Sequence, residues 1–192
     1  MKIFPVLVLV ISAFSFTGSA TPIYWYHFCS NVSGNSVFVT NRNNLVSDLS
    51  NATVHGGFYN TTVGQNPNIV HGLFLCRGDL NPENCQNCVK LITSDVSQRC
   101  PNQTGGLIWY DQCMLHYSDT FIFSTMELEP KVVLVYNNMD IMEPDRFKQV
   151  VATVVRDVAI RASNASLGAK KFATEEATYK PPFLTVYSRY HY

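Results

Sequence analysis

Three sulfur atoms stand close together at Cys76, Cys85 and Cys88, a C-x8-C-x2-C spacing, and three more cysteines lie at Cys29, Cys100 and Cys113. Sulfur in such a pattern can do three things. Cys85 and Cys88 could cycle as a redox pair, which calls for a thioredoxin-like βαβ context. Together with Cys76 and His71 or His116 they could hold zinc, which usually wants a second closely spaced ligand pair. Oxidised to bridges, they need export to an oxidising compartment. The first two contexts are missing from the sequence and the third is present. Lys2, the apolar residues 3–16 and the small-residue site Gly18-Ser19-Ala20 read as a signal peptide over residues 1–20, so the mature chain is expected to begin at Thr21. Disulfides are therefore expected and a metal is not, although six cysteines leave fifteen pairings open.

Other chemistry is weakly signalled. Asp79, Asp111, His116 and Asp119 fall near strand-like segments, and Ser118 stands two residues from His116 as a nominal nucleophile. A nucleophile elbow would read G-x-S-x-G, which is absent, and one histidine in a Tyr- and Leu-rich strand reads as a packed residue. Arg77-Gly78-Asp79 spells an adhesion tripeptide, but after a cysteine expected to be bridged it reads as a turn into a helix. No catalytic residue and no cofactor are expected.

The elements that carry these residues can be read from periodicity. Residues 41–53 place Leu45, Leu49 and Ala52 at helical spacing before Gly56-Gly57 breaks the pattern. A second helix is better signalled. Asn81 can cap it, Pro82 suits its first position and Glu83 complements the positive end, while Cys85, Cys88, Val89, Ile92 and Val96 form one apolar stripe. Residues 58–63, 69–75 and 107–117 are rich in β-branched, aromatic and aliphatic side chains between Gly, Pro and Asn, as strands require. The cysteine-bearing part thus reads as α+β with an antiparallel sheet.

These segments resemble the plant cysteine-rich secretory domain named for salt-stress response and antifungal activity, also called the ginkbilobin-homologous domain. The resemblance rests on the C-x8-C-x2-C core, Asn44-Leu45 and Leu49, Phe58-Tyr59-Asn60, the run from Val70 to Asp79, and the run from Ile108 to Ser118. It implies two helices packed on an antiparallel sheet and bridges pairing Cys29 with Cys100, Cys76 with Cys85, and Cys88 with Cys113. In the chain-entropy view, a bridge closing the ~70 residues between Cys29 and Cys100 would stabilise by ~4 kcal/mol. The resemblance also implies a sugar site: the family's mannose-binding antifungal lectin uses Asn, Arg and Glu where this chain has Ser30, Leu107 and Ser118. Leu in place of Arg removes a multi-donor fork, and Ser in place of Glu removes an acceptor charge. The expectation is a recognition module with a different ligand.

After Glu129-Pro130 the character changes. Residues 132–136 read as a strand-like run, 137–142 as a polar connection and 144–163 as a helix with Phe147, Val150, Val151, Val154, Val155 and Val158 along one stripe. Residues 172–179 and 183–187 read as strands. This part resembles the start of a second copy of the domain without its cysteine core, and so small a unit seldom folds alone without a staple. A truncated tandem protein is expected, and an uncovered valine stripe would favour dimerisation. Tandem relatives include receptor-like kinase ectodomains. Here Val158-Ala-Ile-Arg161 matches the kinase lysine strand only in letters, with Arg for Lys and on a helix, and the glycine-rich and catalytic-loop motifs are absent.

Composition limits the partners. Fourteen basic against 14 acidic residues give no field to attract nucleic acid. No later run approaches the ~18 apolar residues of a membrane span. Sequons at Asn31, Asn51, Asn60, Asn102 and Asn164 suit an exported glycoprotein. The expected organisation is therefore a signal peptide at 1–20, a cysteine-rich domain at 21–128, a linker at 129–143 and a partial second repeat at 144–192. The expected role is secretion to the apoplast to bind an extracellular protein or glycan. The alternatives are a mannose-type antifungal lectin with an altered site and a truncated receptor ectodomain.

Overall fold

The computed structural model describes residues 21–52, 57–125, 143–166, 172–179 and 184–191. The expected signal peptide, the strand-like run at 132–136 and the connection at 137–142 lie outside the described residues.

Two helices form where a cap and an apolar stripe coincide. α1 (Ser36–Asn51) starts at Asn35, whose side chain accepts from the Phe38 N–H at 2.9 Å. Its buried stripe is Phe38, Arg42, Leu45, Val46 and Leu49. The helix therefore begins at Ser36 and not at residue 41 as the periodicity suggested. A buried arginine inside the stripe masks its first turns from any reading based on hydrophobic spacing. α2 (Pro82–Arg99) follows its sequence signals: the Asn81 side chain accepts from the Asn84 N–H at 2.8 Å, and Cys85, Cys88, Val89, Ile92 and Val96 are buried.

Five strands make one antiparallel sheet. β1 (Tyr24–Cys29), β2 (Phe58–Val63), β3 (Val70–Cys76), β4 (Gly106–Tyr110) and β5 (Cys113–Ser118) lie in the order β1-β4-β5-β3-β2. Two features differ from expectation. The aromatic segment before Cys29 is an edge strand, and the stretch at 107–117 is a hairpin turning at Asp111 and Gln112. An acidic residue inside an apolar run was the turn signal there. On the inner face, Phe74, Ile108, Leu115 and Tyr117 are fully buried beneath the helices. Gly72 lets α1 approach closely, because a Cβ there would collide with the Leu45 side chain.

All six cysteines are bridged, and each bridge ties α2 or its ends to the sheet. Cys76 pairs with Cys85, Cys88 with Cys113 and Cys29 with Cys100. Cys76 and Cys113 face each other in register on β3 and β5, so two neighbouring strands are stapled to the first turns of one helix. The third bridge fastens the other end, where Cys100 caps α2. There Arg42 reaches across from α1 and donates to the carbonyls of Cys100 at 2.7 Å and Pro101 at 2.6 Å. A buried charge is thus held by carbonyls at the negative end of the helix, where a cation is favoured. Burial pushes the Tyr117 phenol up, with Arg42 opposing.

The second unit is smaller. α3 (Pro144–Ser163) packs on the hairpin of β6 (Phe172–Tyr179) and β7 (Leu184–His191). Tyr179 closes it, stacked edge-on to Phe147 at 5.4 Å and donating to the Glu143 carbonyl at 3.2 Å. Phe172 lays its ring against Gly78 of the cysteine-rich unit, where a Cβ would collide with it.

Candidate functional site

Side chains alternate across a strand, so the face of the sheet away from the helices is set by the same register as the core. In the row nearest the β4–β5 turn, Tyr26, Trp109, Met114, Leu75 and Phe58 line up across β1, β4, β5, β3 and β2. The next row holds Phe28, Leu107, His116, Leu73 and Asn60. This face is largely apolar and, among the described residues, open along its two edge strands, where Tyr26 is 36%, Phe28 41% and Phe58 45% exposed; the central strands are partly covered. Solvent-facing sheet surfaces are ordinarily polar, and an apolar one marks a contact surface.

At the far end from the turn, His71 receives a contact from each of two rings, Phe121 at 5.4 Å and Phe123 at 5.7 Å, both edge-on. Its Nδ1 pairs with the Thr62 hydroxyl at 2.9 Å. The positions of the expected sugar site lie at this end and do come together. Ser30 donates its backbone N–H to the Gly105 carbonyl, and Ser118 stands opposite His71 in register. Leu107 is one row away, opposite Phe28 and His116. Their hydroxyls are already engaged. Ser30 Oγ accepts from the Gly105 N–H at 3.0 Å and donates to the Val32 carbonyl, while Ser118 Oγ accepts from the Thr120 N–H at 3.1 Å and pairs with its hydroxyl. Leu107 is 6% exposed and offers no polar group.

The acidic residues divide into two places. Arg77 bridges Asp79, through Nε at 2.5 Å, and the Asp111 carbonyl, through Nη1 at 3.2 Å. The tripeptide Arg77-Gly78-Asp79 is thus closed on itself in the turn before α2. Asp119 is held elsewhere, its N–H on the Thr104 carbonyl. The Ser118 hydroxyl bonds to Thr120 and not to His116. Among the described residues no group of three or more His, Cys, Asp or Glu side chains could hold a metal. Arg161 of α3, which stood at the kinase-like position, bonds the Thr174 carbonyl and pairs with Glu175. The five sequon asparagines, Asn31, Asn51, Asn60, Asn102 and Asn164, are all exposed.

Two polar clusters escaped the sequence reading. One is Arg42. In the other, the Asp95 carboxylate accepts from the Tyr110 hydroxyl at 2.7 Å and from Arg99 at 2.8 Å, and the Arg99 guanidinium lies 4.0 Å from the Tyr24 ring centre. Burial, then the bond to Asp95, pushes the Tyr110 phenol up to about 12. The hydrogen bond to Asp95 also raises Arg99. The (i, i+4) spacing of Asp95 and Arg99 was a usable signal; their aromatic partners on β1 and β4 were not.

Residues 27–120 match the family described as salt stress response/antifungal. Cysteine-rich receptor-like protein kinase 25 of Arabidopsis thaliana is 39% identical over 181 residues, covering 90% of this chain and 26% of the kinase. Cysteine-rich repeat secretory protein 38 of the same plant is 33% identical over 181 residues, covering 90% of this chain and 71% of that protein. Among solved structures, the tandem DUF26 ectodomain of the Arabidopsis thaliana cysteine-rich receptor-like protein PDLP8 superposes with a TM-score of 0.65 at 21% identity, over 81% of this chain and 73% of that one. Fold and staples define a cysteine-rich α+β module of the kind found in such ectodomains. The chain belongs to the salt stress response/antifungal family. The chain spans only about a quarter of the kinase relative it matches.

Proposed function

We propose that this chain is an extracellular, non-enzymatic recognition module of the plant stress or defence type, exported to the apoplast behind residues 1–20 and carrying N-linked glycans. Its ligand is an extracellular protein or glycan, taken without a cofactor. The observation that carries this reading is the open aromatic face: two stapled helices fill one side of the sheet, while Tyr26, Phe28 and Phe58 remain exposed on the other. The names of relatives, which are secretory proteins and receptor-like proteins, support an extracellular setting. Division into a cysteine-rich domain at 21–128, a linker and a partial second repeat belongs to the same proposal.

A mannose-type site at Ser30, Leu107 and Ser118 is less well supported, since both serine hydroxyls are already bonded to backbone, Ser30 to Gly105 and Ser118 to Thr120. The test is binding of the oxidised, secreted protein to a glycan array and to extracellular wash proteins, beside two variants. Phe28→Asp should abolish capture, and retained capture would sink the reading. The triple variant Ser30→Asn, Leu107→Arg, Ser118→Glu should gain mannose-type binding that the natural chain lacks. Equal mannose binding by both would favour the lectin alternative.

A further inference from the structure

We propose that the end of the open face beside the β4–β5 turn is a sugar-binding cleft, built to stack a β-linked, gluco-configured hexopyranose on two tryptophans. The proposal rests on the recognition reading and names the ligand class. The cleft has a volume of about 420 Å³, within the ~300–1,000 Å³ common for small-ligand sites. Leu75 and Met114 form its apolar floor, Trp25 and Trp109 its aromatic surfaces, and Arg77 and Asp111 contribute the charges.

Local structure puts each group there. Trp109 lies in register between Tyr26 and Met114 on the open face. Trp25 sits where the β1–β4 register shifts between Tyr24 and Tyr26, and it is left 49% exposed. Such a bulge redirects a side chain, here bringing a second indole to the same cleft. The base is rigid, because Cys76 and Cys113 both line it and both are bridged to α2.

The polar groups are placed but not used up. Arg77 engages Asp79 through Nε and the Asp111 carbonyl through Nη1, so among the described residues its Nη2 makes no bond. Asp111 accepts from the Ile23 N–H through Oδ1 at 2.7 Å, which leaves Oδ2. A donor and an acceptor thus stand beside two aromatic faces, already ordered before any ligand arrives.

One ligand must satisfy both. A purely apolar ligand would cover the remaining Arg77 Nη2 donor and Asp111 Oδ2 acceptor without replacing the water they bond, which is unfavourable. An anion would meet the Asp111 carboxylate. A sugar ring presents C–H bonds on its faces, which suit the negative face of an indole, and hydroxyls on its edge for an arginine and a carboxylate. A gluco-configured ring, with every substituent equatorial, offers both faces for stacking. The axial 2-hydroxyl of mannose interrupts one. The site is also separate from the Ser30 and Ser118 end of the sheet, since Met114 to Ser118 spans ~13 Å along β5.

The chain has two tryptophans and both line the cleft, so intrinsic tryptophan fluorescence reports this site alone. The oxidised, secreted protein is titrated with cellohexaose and chitohexaose, with α-mannohexaose as comparison. A saturable shift is expected with at least one gluco-configured probe, at least tenfold tighter than with mannohexaose. Trp25→Ala should weaken it about tenfold. Asp111→Asn, which keeps an oxygen for Ile23, should weaken it severalfold with an unchanged melting temperature. Silence with both probes, equal response to mannohexaose, or undiminished binding by Trp25→Ala would each overturn the assignment. If the cleft is silent while capture sensitive to Phe28→Asp persists, the sugar site fails and the recognition reading stands. If both are lost, both fail.

Discussion

α1 and α3 carry the same apolar spacing and end up in different environments. Phe38, Leu45, Val46 and Leu49 recur as Phe147, Val154, Val155 and Val158. Each helix packs on a two-stranded hairpin, β2–β3 for α1 and β6–β7 for α3. Leu45 and Leu49 are fully buried, as is Val158, and Val154 is nearly so. The third pair separates them: Val46 is 7% exposed and Val155 is 46% exposed. Val46 lies on the helix that packs against α2, and α3 has no counterpart of α2 among the described residues. The caps differ as well. Asn35 gives α1 a side-chain acceptor, whereas α3 starts from Glu143 at φ 57° with no side-chain cap bond. One stripe therefore specifies a helix on a hairpin, while burial of its flank and a good start depend on what stands beside it.

The comparison can be broken most forcefully at the staples. Replacing Cys29 and Cys100 by Ala should remove ~4 kcal/mol from the cysteine-rich unit. Urea denaturation that moved little would mean that the bridge adds little to what the core already supplies. Next come the matched valines. Val46→Glu should cost ~3 kcal/mol or more by burying an unpaired carboxylate, and Val155→Glu should stay within ~0.5 kcal/mol. Limited proteolysis of both variants reads the difference. A Val155 variant as damaged as its partner would show that something covers α3 in solution.

Alkaline titration tests the Tyr110 cluster of the cysteine-rich unit. Folding favours the neutral Tyr110 phenol, so its contribution is complete below about pH 10 and is lost as pH rises towards its folded value of about 12. Phenolate absorbance should contain a late step that Asp95→Asn moves to lower pH. Arg42→Met is expected to cost ~2 kcal/mol, by leaving the Cys100 and Pro101 carbonyls unpaired in the core. Thermal melting of the oxidised protein checks it. The smallest effect is a gain: Glu143→Gly should stabilise the second unit by ~1 kcal/mol, since glycine occupies positive φ without strain. Slower proteolysis within α3 would register it.

Much of the cysteine-rich unit was legible because its signals are local. Asn81, Pro82 and the stripe from Cys85 to Val96 specify α2 within one stretch of chain, and caps and periodicity need no partner to be read. β1 was not legible: its aromatic residues alternate between faces, and only pairing with β4 makes them a strand. The start of α1 was hidden for a related reason. Arg42 reads as a surface residue until the α2 carbonyls are seen to receive it.

The candidate site divides in the same way. Ser30, Leu107 and Ser118 could be named from the resemblance, but only the fold brings them to one end of the sheet and engages the two serine hydroxyls with the Gly105 and Thr120 N–H groups. Trp25, Arg77 and the pair Trp109 and Asp111 come from three separate stretches of the chain, and nothing in their spacing joins them. Sequence by itself determined the α+β class, the helix with its cap and stripe, and an oxidised cysteine chemistry, because each follows from residue type and short-range period. Tertiary structure alone decided which face of the sheet stays open and which side chains meet on it. Strand order and the β1 bulge are long-range facts, and they place those groups together.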